Sequence, residues 1–217
     1  MPGKAFHKNS REPLILLCLA ALALAASGVS PKDPFTWSME VAPVLVAAPV
    51  LIATYRKFPF TSLLYRFIFL HALILIWGGH YTYAEVPLGF WMQDAFGFAR
   101  NNYDKIGHFA QGFVPALVAR EILARHEVVG SKGWRFFLVT CVCLAFSAFY
   151  ELIEWWTALA TGGAAEAFLG TQGDPWDTQS DMFLALTGAV LAQVALGRVQ
   201  DRQVKCLTGP AEWAERA

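Results

Sequence analysis

Residues 134–156 read WRFFLVTCVCLAFSAFYELIEWW, and between Arg135 and Glu151 they contain no Asp, Glu, Lys, Arg or His. About 20 apolar residues in a helix span the roughly 30 Å hydrocarbon core of a bilayer, because each residue adds about 1.5 Å. The stretch therefore predicts a transmembrane helix. Its last part carries two acidic residues, Glu151 and Glu154, three positions apart.

Five further stretches have a similar composition and are separated by segments rich in Pro, Gly and charge. No linker, repeat or low-complexity run divides the chain, which indicates one domain over residues 1–217. We expect an all-α, polytopic membrane protein, a bundle of about six transmembrane helices. The predicted spans are Pro13–Val29, Met39–Tyr55, Leu63–Gly79, Lys105–Leu123, Trp134–Trp156 and Asp177–Gly197.

The composition agrees with a membrane protein and excludes other classes. The 217 residues are 56% hydrophobic and 16% charged, whereas a soluble domain has about 25% charged residues. A net charge of zero removes the positive field that nucleic-acid binding needs. The four Cys residues have neither metal-ligand spacing nor disulfide-scaffold density. Membrane lipids are the expected surroundings, and the sequence leaves the oligomeric state open.

Lys and Arg residues flank the predicted spans unequally. Fourteen of the 17 basic residues lie beside one set of span ends, and only Lys32, Arg100 and Lys105 lie beside the other. Because basic residues are retained in the cytoplasm, both termini are predicted to be cytoplasmic.

Residues 1–25 also fit a cleavable signal peptide, since a basic start precedes an apolar run. The sequence leaves both interpretations open.

Polar residues recur at helical spacing in the last three predicted spans. Ionisable groups within spans are costly and so mark functional sites, and residues three or four apart share a helix face. All of these residues fall near the extracytoplasmic ends, where we expect them to converge: Asp104, His108 and Gln111; Glu151 and Glu154; Asp177 and Asp181.

Several carboxylates in one crevice require either bound protons or a cation. Oxygen ligands with one imidazole favour Mg²⁺, Mn²⁺, Ca²⁺ or Zn²⁺, so a divalent metal ion is the cofactor that we expect. Alternatively, Asp104 and Asp177 cap helix starts, and Arg100 and Lys105 neutralise the acids. Arg120 and Glu121 are expected on the cytoplasmic surface. The predicted metal ligands are His108, Glu151, Glu154, Asp177 and Asp181, and the predicted catalytic residues are His108, Glu151, Glu154 and Asp181.

Three strings, NNYDKIGHF at 101–109, FYELIEW at 149–155 and LGTQGDPWDTQSDM at 169–182, resemble the YjdF-like family of bacterial inner-membrane proteins. The family is functionally uncharacterised, so the resemblance implies a multi-pass inner-membrane location and no reaction. Asp104, Lys105 and His108 are also more distantly similar to the VanZ-like membrane proteins. The resemblance marks as motif positions Asp104, His108, Glu151, Glu154, Gly170, Gln172, Asp174, Trp176, Asp177, Gln179 and Asp181.

These observations support three hypotheses of function. The first is a metal-assisted hydrolase or transferase that acts on a lipid or lipid-linked phosphate, with Asp104 orienting His108 and Lys105 or Arg100 contacting the phosphate. The second is a proton- or ion-coupled transporter, and the third is a non-catalytic envelope protein that binds a lipid or a partner. Supporting roles are expected for Asp104, Lys105, Gln111, Gln172, Asp174, Trp176 and Gln179.

Overall fold

The computed structural model describes residues 11–161 and 166–208, and all regular elements in these ranges are helical. The all-α prediction is therefore confirmed. A 3₁₀ turn at Tyr83–Glu85 joins α3 to α4. The α-helices are α1 (Glu12–Ser27), α2 (Pro34–Thr54), α3 (Ser62–Tyr81), α4 (Pro87–Phe96), α5 (Tyr103–Arg125), α6 (Lys132–Thr161), α7 (Glu166–Leu169) and α8 (Asp177–Thr208).

Four of the described helices, α2, α3, α6 and α8, are long and apolar enough to cross a membrane. Helix α1 is apolar but has only 16 residues. Helix α5 has 23 residues, but its charged and amide side chains lower its hydropathy. Four of the six predicted spans thus coincide with helices that have the length and composition of a membrane span.

Helix α5 lies at the centre of the bundle and packs against α3, α6 and, most extensively, α8. Eleven of its 23 residues are buried, so its neighbours separate its polar side chains from the surroundings. Two glycines allow the close approach of α8, because a Cβ atom at Gly112 would lie 1.8 Å from the carbonyl oxygen of Ala185. A Cβ atom at Gly188 would lie 2.2 Å from the carbonyl oxygen of Phe109.

The long helices alternate in direction, which gives the bundle two chemically distinct ends. At one end, Lys105 of α5 pairs with Asp177 of α8, and His108 approaches Glu151 of α6. We call this the acidic end. At the other, Arg120 of α5 lies near Arg135 of α6, and Arg125 of α5 contacts Pro59 just before α3. We call this the arginine end.

Helix α1 is held to its neighbours at the acidic end by Ser27. The Ser27 hydroxyl accepts a hydrogen bond from Trp37 Nε1 at 3.0 Å, and its carbonyl oxygen lies 2.8 Å from Nδ1 of His80. Ser27 is buried. In this structure α1 is therefore a packed part of the bundle.

Two helices extend past the apolar stretches that predicted them. Helix α6 continues to Thr161 and α8 to Thr208, beyond the expected ends at Trp156 and Gly197. Hydropathy marks only the lipid-facing part of a helix, whereas backbone hydrogen bonds continue where the side chains become polar. The loop expected over 157–176 accordingly begins later, and its residues 162–165 lie outside the described residues.

The expected surface position of Arg120 and Glu121 is wrong, since they are only 8% and 0% exposed. The loop before α3 covers Glu121, which accepts hydrogen bonds from the backbone amide and the hydroxyl of Thr61 at 3.0 and 2.8 Å. Helix α8 extends far enough for Gln200 and Asp201 to contact Arg120. The charges are therefore paired inside the bundle.

Candidate functional site

His108 lies at the centre of the acidic end and is 6% exposed. Its Nε2 atom is 3.2 Å from Oδ1 of Asp104, one helical turn earlier. Its Nδ1 atom is 3.0 Å from Oε1 of Gln111, three residues later. A neutral imidazole donates only one hydrogen bond, so two oxygen neighbours favour either an imidazolium or a cation between the ring and an oxygen.

Helices α6 and α8 bring further carboxylates to His108. Oε1 of Glu151 lies 3.9 Å from Nδ1, and Oδ2 of Asp181 lies 3.9 Å from Nε2. Glu154, one turn after Glu151, also interacts electrostatically with His108. The acidic faces of three helices therefore converge on one imidazole.

Two basic side chains neutralise the rim of this cluster. Nζ of Lys105 lies 2.8 Å from Oδ1 of Asp177 and 2.8 Å from Oδ1 of Asp181. The guanidinium of Arg100 pairs with Asp177 and, at 3.0 Å, with Asp174. Burial lowers the pKa of Arg100, but the hydrogen bond and charge of Asp177 outweigh it and raise the pKa above its usual value. Arg100 and Lys105 are thus committed to protein carboxylates.

The segment before α8 folds over the acidic end through backbone contacts. Arg100 donates to the carbonyl oxygen of Thr171 at 2.6 Å, and Nε2 of Gln172 donates to the carbonyl oxygen of Asn101 at 2.8 Å. The side chains of Trp176 and Gln179 are exposed, and in the described part of the chain they take no part in the ion pairs of the cluster. Gln172 and Asp174 therefore hold the cover in place, whereas Trp176 and Gln179 lie at its surface.

Glu40 of α2 is a member of the site that the sequence analysis missed. It is 6% exposed, interacts electrostatically with Asp104 and His108, and hydrogen-bonds with Tyr83 and Tyr150. Burial, and then the charge of Glu40, raise the pKa of Tyr83 well above its usual value. A lone acid inside a predicted span is itself a signal of a site, and this signal could have identified Glu40.

Three donor atoms of the cluster are close enough to share a cation. The ligand atoms of Asp104, His108 and Asp181 all lie within 4.8 Å of one another. Oδ2 of Asp104 and Oε1 of Glu151 are buried without a hydrogen-bond partner. Buried oxygens normally have a partner, so this donor set fits a hard divalent ion such as Mg²⁺ or Mn²⁺, or Zn²⁺.

An apolar groove adjoins the carboxylates. It encloses about 540 Å³ between α4, α5 and α8, and Met92, Phe109 and Phe183 are among its apolar lining residues. Lys105 and Ser180 form part of its polar wall. Lys105 donates hydrogen bonds to the Asp177 carboxylate and to the Ser180 hydroxyl, which in turn donates to the Asp177 carbonyl oxygen. The groove therefore joins an apolar surface to the charged cluster.

Comparisons with known proteins place the chain in a family. The family described as "Predicted membrane protein (DUF2238)" matches residues 12–202. The chain is also 56% identical over 197 residues to the Inner membrane protein YjdF of Escherichia coli (strain K12), covering 89% of this chain and 94% of that protein. No solved structure matches. The resemblance that the three sequence strings indicated is confirmed: the chain is an inner-membrane protein and belongs to the YjdF-like, or DUF2238, family.

Proposed function

We propose that the acidic end binds one divalent metal ion and uses it for hydrolysis or transfer at a lipid or lipid-linked phosphate, on the extracytoplasmic side of the membrane. The observation that carries this proposal is the set of ligand atoms from Asp104, His108 and Asp181 within 4.8 Å of one another. Two of these residues lie on α5 and one on α8, so the closely packed helices α5 and α8 hold the donors in place.

The charge balance supports a cation. Seven carboxyl groups meet in this cluster, but among the described residues only Arg100 and Lys105 offset them, because His108 must be neutral to bind a metal ion. Like charges in a poorly solvated crevice require protons or a metal ion. The carboxyl groups belong to Glu40, Asp104, Glu151, Glu154, Asp174, Asp177 and Asp181.

The remaining side chains fit separate roles. A bound divalent ion lowers the pKa of a coordinated water or polarises a phosphoryl oxygen. Glu151, whose buried Oε1 lacks a partner, is positioned as a further ligand or as the general base, with Glu154 beside it. Asp177 contacts both Arg100 and Lys105, so we assign it to charge neutralisation rather than to the metal.

The groove supports an amphiphilic substrate. Its apolar walls suit acyl or isoprenoid chains, and its polar wall of Lys105 and Ser180 separates those chains from the carboxylates. Ligand pockets are typically 300–1,000 Å³, and a volume of about 540 Å³ lies in this range. A headgroup bound in the groove would contact Lys105, the cation that pairs with Asp177 and Asp181.

Metal analysis tests the proposal. We expect protein purified in mild detergent and dialysed against Mn²⁺ or Zn²⁺ to retain about one ion per chain. His108→Ala and Asp181→Asn should lose it, and Glu151→Ala should retain less. His71→Ala removes a histidine of α3 outside the cluster and should retain the wild-type amount. Equal metal content in all five proteins would overturn the metal site.

A proton- or ion-coupled transporter is the second candidate, and the position of Glu40 favours it. Glu40 is buried in α2 with Tyr83 and Tyr150, and together with the carboxylates it forms a continuous titratable cluster. Protonatable residues inside membrane proteins often serve as proton relays. Proton uptake by proteoliposomes that is abolished by Glu40→Gln, without metal retention, would support this candidate over the enzyme.

A further inference from the structure

The arginine end contains a second buried polar network, remote from the acidic end. Glu121 accepts hydrogen bonds from Thr61 and, at 3.3 Å, from Arg125. Arg125 also donates to the carbonyl oxygen of Pro59 at 2.7 Å. Glu121 and Arg125 therefore satisfy each other and fasten the start of α3 to α5.

Arg120 is also paired. Its guanidinium lies over Gly197, where a Cβ atom would be 3.3 Å from Nη2. Nη2 donates to Oδ1 of Asp201 at 2.8 Å, and Nη1 donates to Oε1 of Gln200 at 3.2 Å. One carboxylate thus compensates one guanidinium.

Arg135 is different. It lies in the first turn of α6 and is only 9% exposed. Within residues 11–161 and 166–208, no hydrogen bond or ion pair engages its guanidinium, and its electrostatic neighbours are Arg120 and Asp201. Because Asp201 lies closest to Arg120, the guanidinium of Arg135 has no carboxylate of its own, and its nitrogens are not among the fully buried atoms without a partner. A largely buried but reachable cation with incomplete compensation points to a missing anion.

The surroundings of Arg135 indicate the kind of anion. The neighbouring Trp134 and Phe137 are 61% and 54% exposed, and such aromatic residues favour the headgroup layer of a membrane. With Ser131 and Gly133 they line a shallow surface cavity of about 420 Å³ beside Arg135, whose own side chain does not line it. A guanidinium binds a phosphate with two parallel hydrogen bonds, and basic pockets between helices on the cytoplasmic side bind anionic headgroups.

We propose that Arg135, supported by Arg120, binds the phosphate group of an anionic phospholipid in the cytoplasmic leaflet. This site lies at the opposite end of the bundle from the proposed metal centre and does not depend on it. The phosphate supplies the negative charge that the described residues lack beside Arg135, and the lipid tails lie along the apolar surface near Trp134 and Phe137.

Thermal unfolding in detergent tests the proposal because it predicts a reversal of order. In lipid-free detergent, Arg135→Gln removes an incompletely compensated charge and should unfold at a higher temperature than the wild type. With phosphatidylglycerol added, the wild type should gain stability and exceed Arg135→Gln, whose affinity for this lipid should fall about tenfold or more. Arg198→Gln, which changes an exposed arginine of α8, should respond to the lipid as the wild type does.

A second variant controls for misfolding, and a second ligand identifies the source of the phosphate. Arg135→Lys keeps the charge but loses the paired donors, so it should fold and bind phosphatidylglycerol weakly. Inorganic phosphate that stabilises the wild type as strongly as phosphatidylglycerol would support the phosphate site and overturn the lipid as its source. Equal stabilisation of the wild type and Arg135→Gln by phosphatidylglycerol would overturn the site itself.

Discussion

Asp177 is the residue on which the charge balance of the acidic end depends, because it alone contacts both Arg100 and Lys105 among the described ion pairs. Its side chain is 7% exposed. Asp177→Asn would leave both cations with less compensation in a buried place. We expect a loss of about 1–3 kcal/mol in the free energy of unfolding, the range for a lost hydrogen bond to a charged group, because Arg100 keeps Asp174 and Lys105 keeps Asp181.

Chemical denaturation in a mild detergent measures this loss. Asp94→Asn, which changes an exposed acid of α4, is the matched control and should unfold at the wild-type midpoint. Equal midpoints for Asp177→Asn and Asp94→Asn would mean that solvent, rather than Asp177, compensates the two cations.

Single residues show which parts of the site helical spacing can predict and which it cannot. The four-residue spacing of Asp104 and His108 correctly implied a shared face, and the two atoms Nε2 and Oδ1 lie 3.2 Å apart. Spacing says nothing about which loop covers a helix end, and this is why Glu121 was expected on the surface. It also overlooks a site residue that has no charged neighbour along its own helix, as is the case for Glu40 in α2.

At the scale of helices, α5 and α8 approach each other closely at Gly112, where a Cβ atom would lie 1.8 Å from the Ala185 carbonyl oxygen. Gly112→Ala must push the two backbones apart, since neither atom belongs to a flexible side chain. We expect a loss of about 1–3 kcal/mol in the free energy of unfolding. Because Asp181 lies one turn before Ala185, metal retention should fall as well.

Gly133→Ala is the matched control for this change. Gly133 lies in the first turn of α6, and a Cβ atom there would meet only the Ser131 hydroxyl oxygen, at 3.7 Å. Alanine favours a helix over glycine by up to about 1 kcal/mol, so this variant should be as stable as the wild type or more stable. Similar unfolding midpoints for both variants would show that α5 and α8 are free to separate.

The helices also explain why six apolar stretches did not become six equally apolar spans. Periodicity and hydropathy located each long helix, but hydropathy measures contact with lipid only on average. Helix α5 is enclosed by α3, α6 and α8, so its residues face protein and can be polar. Helix α4 was not predicted as a helix, because the sequence was searched for apolar stretches of about 20 residues and α4 has only ten.

At the scale of the whole molecule, opposite charges gather at the two ends of the bundle. The acidic end has an excess of carboxylates, whereas the arginine end has the buried Arg120 and Arg135 and the partly buried Arg125. Basic residues are retained in the cytoplasm during insertion. The sequence could predict this polarity because it needs only a count beside each span, whereas the partners of each charge depend on packing between distant segments.

We therefore predict that the acidic end faces away from the cytoplasm. Two exposed positions report on opposite ends: Cys206, near the end of α8, and Gln179, in its first turn. A membrane-impermeant thiol reagent should label Gln179→Cys, in a Cys206→Ser background, in intact spheroplasts. It should label Cys206 of the wild type only after lysis. Cys18 and Cys141 lie well inside the apolar helices α1 and α6, and replacing both with serine removes any contribution from them.

The reverse labelling pattern would place the proposed metal centre in the cytoplasm and the Arg135 site outside it. The proposed substrate would then come from the cytoplasmic leaflet, and the phospholipid at Arg135 from the outer leaflet.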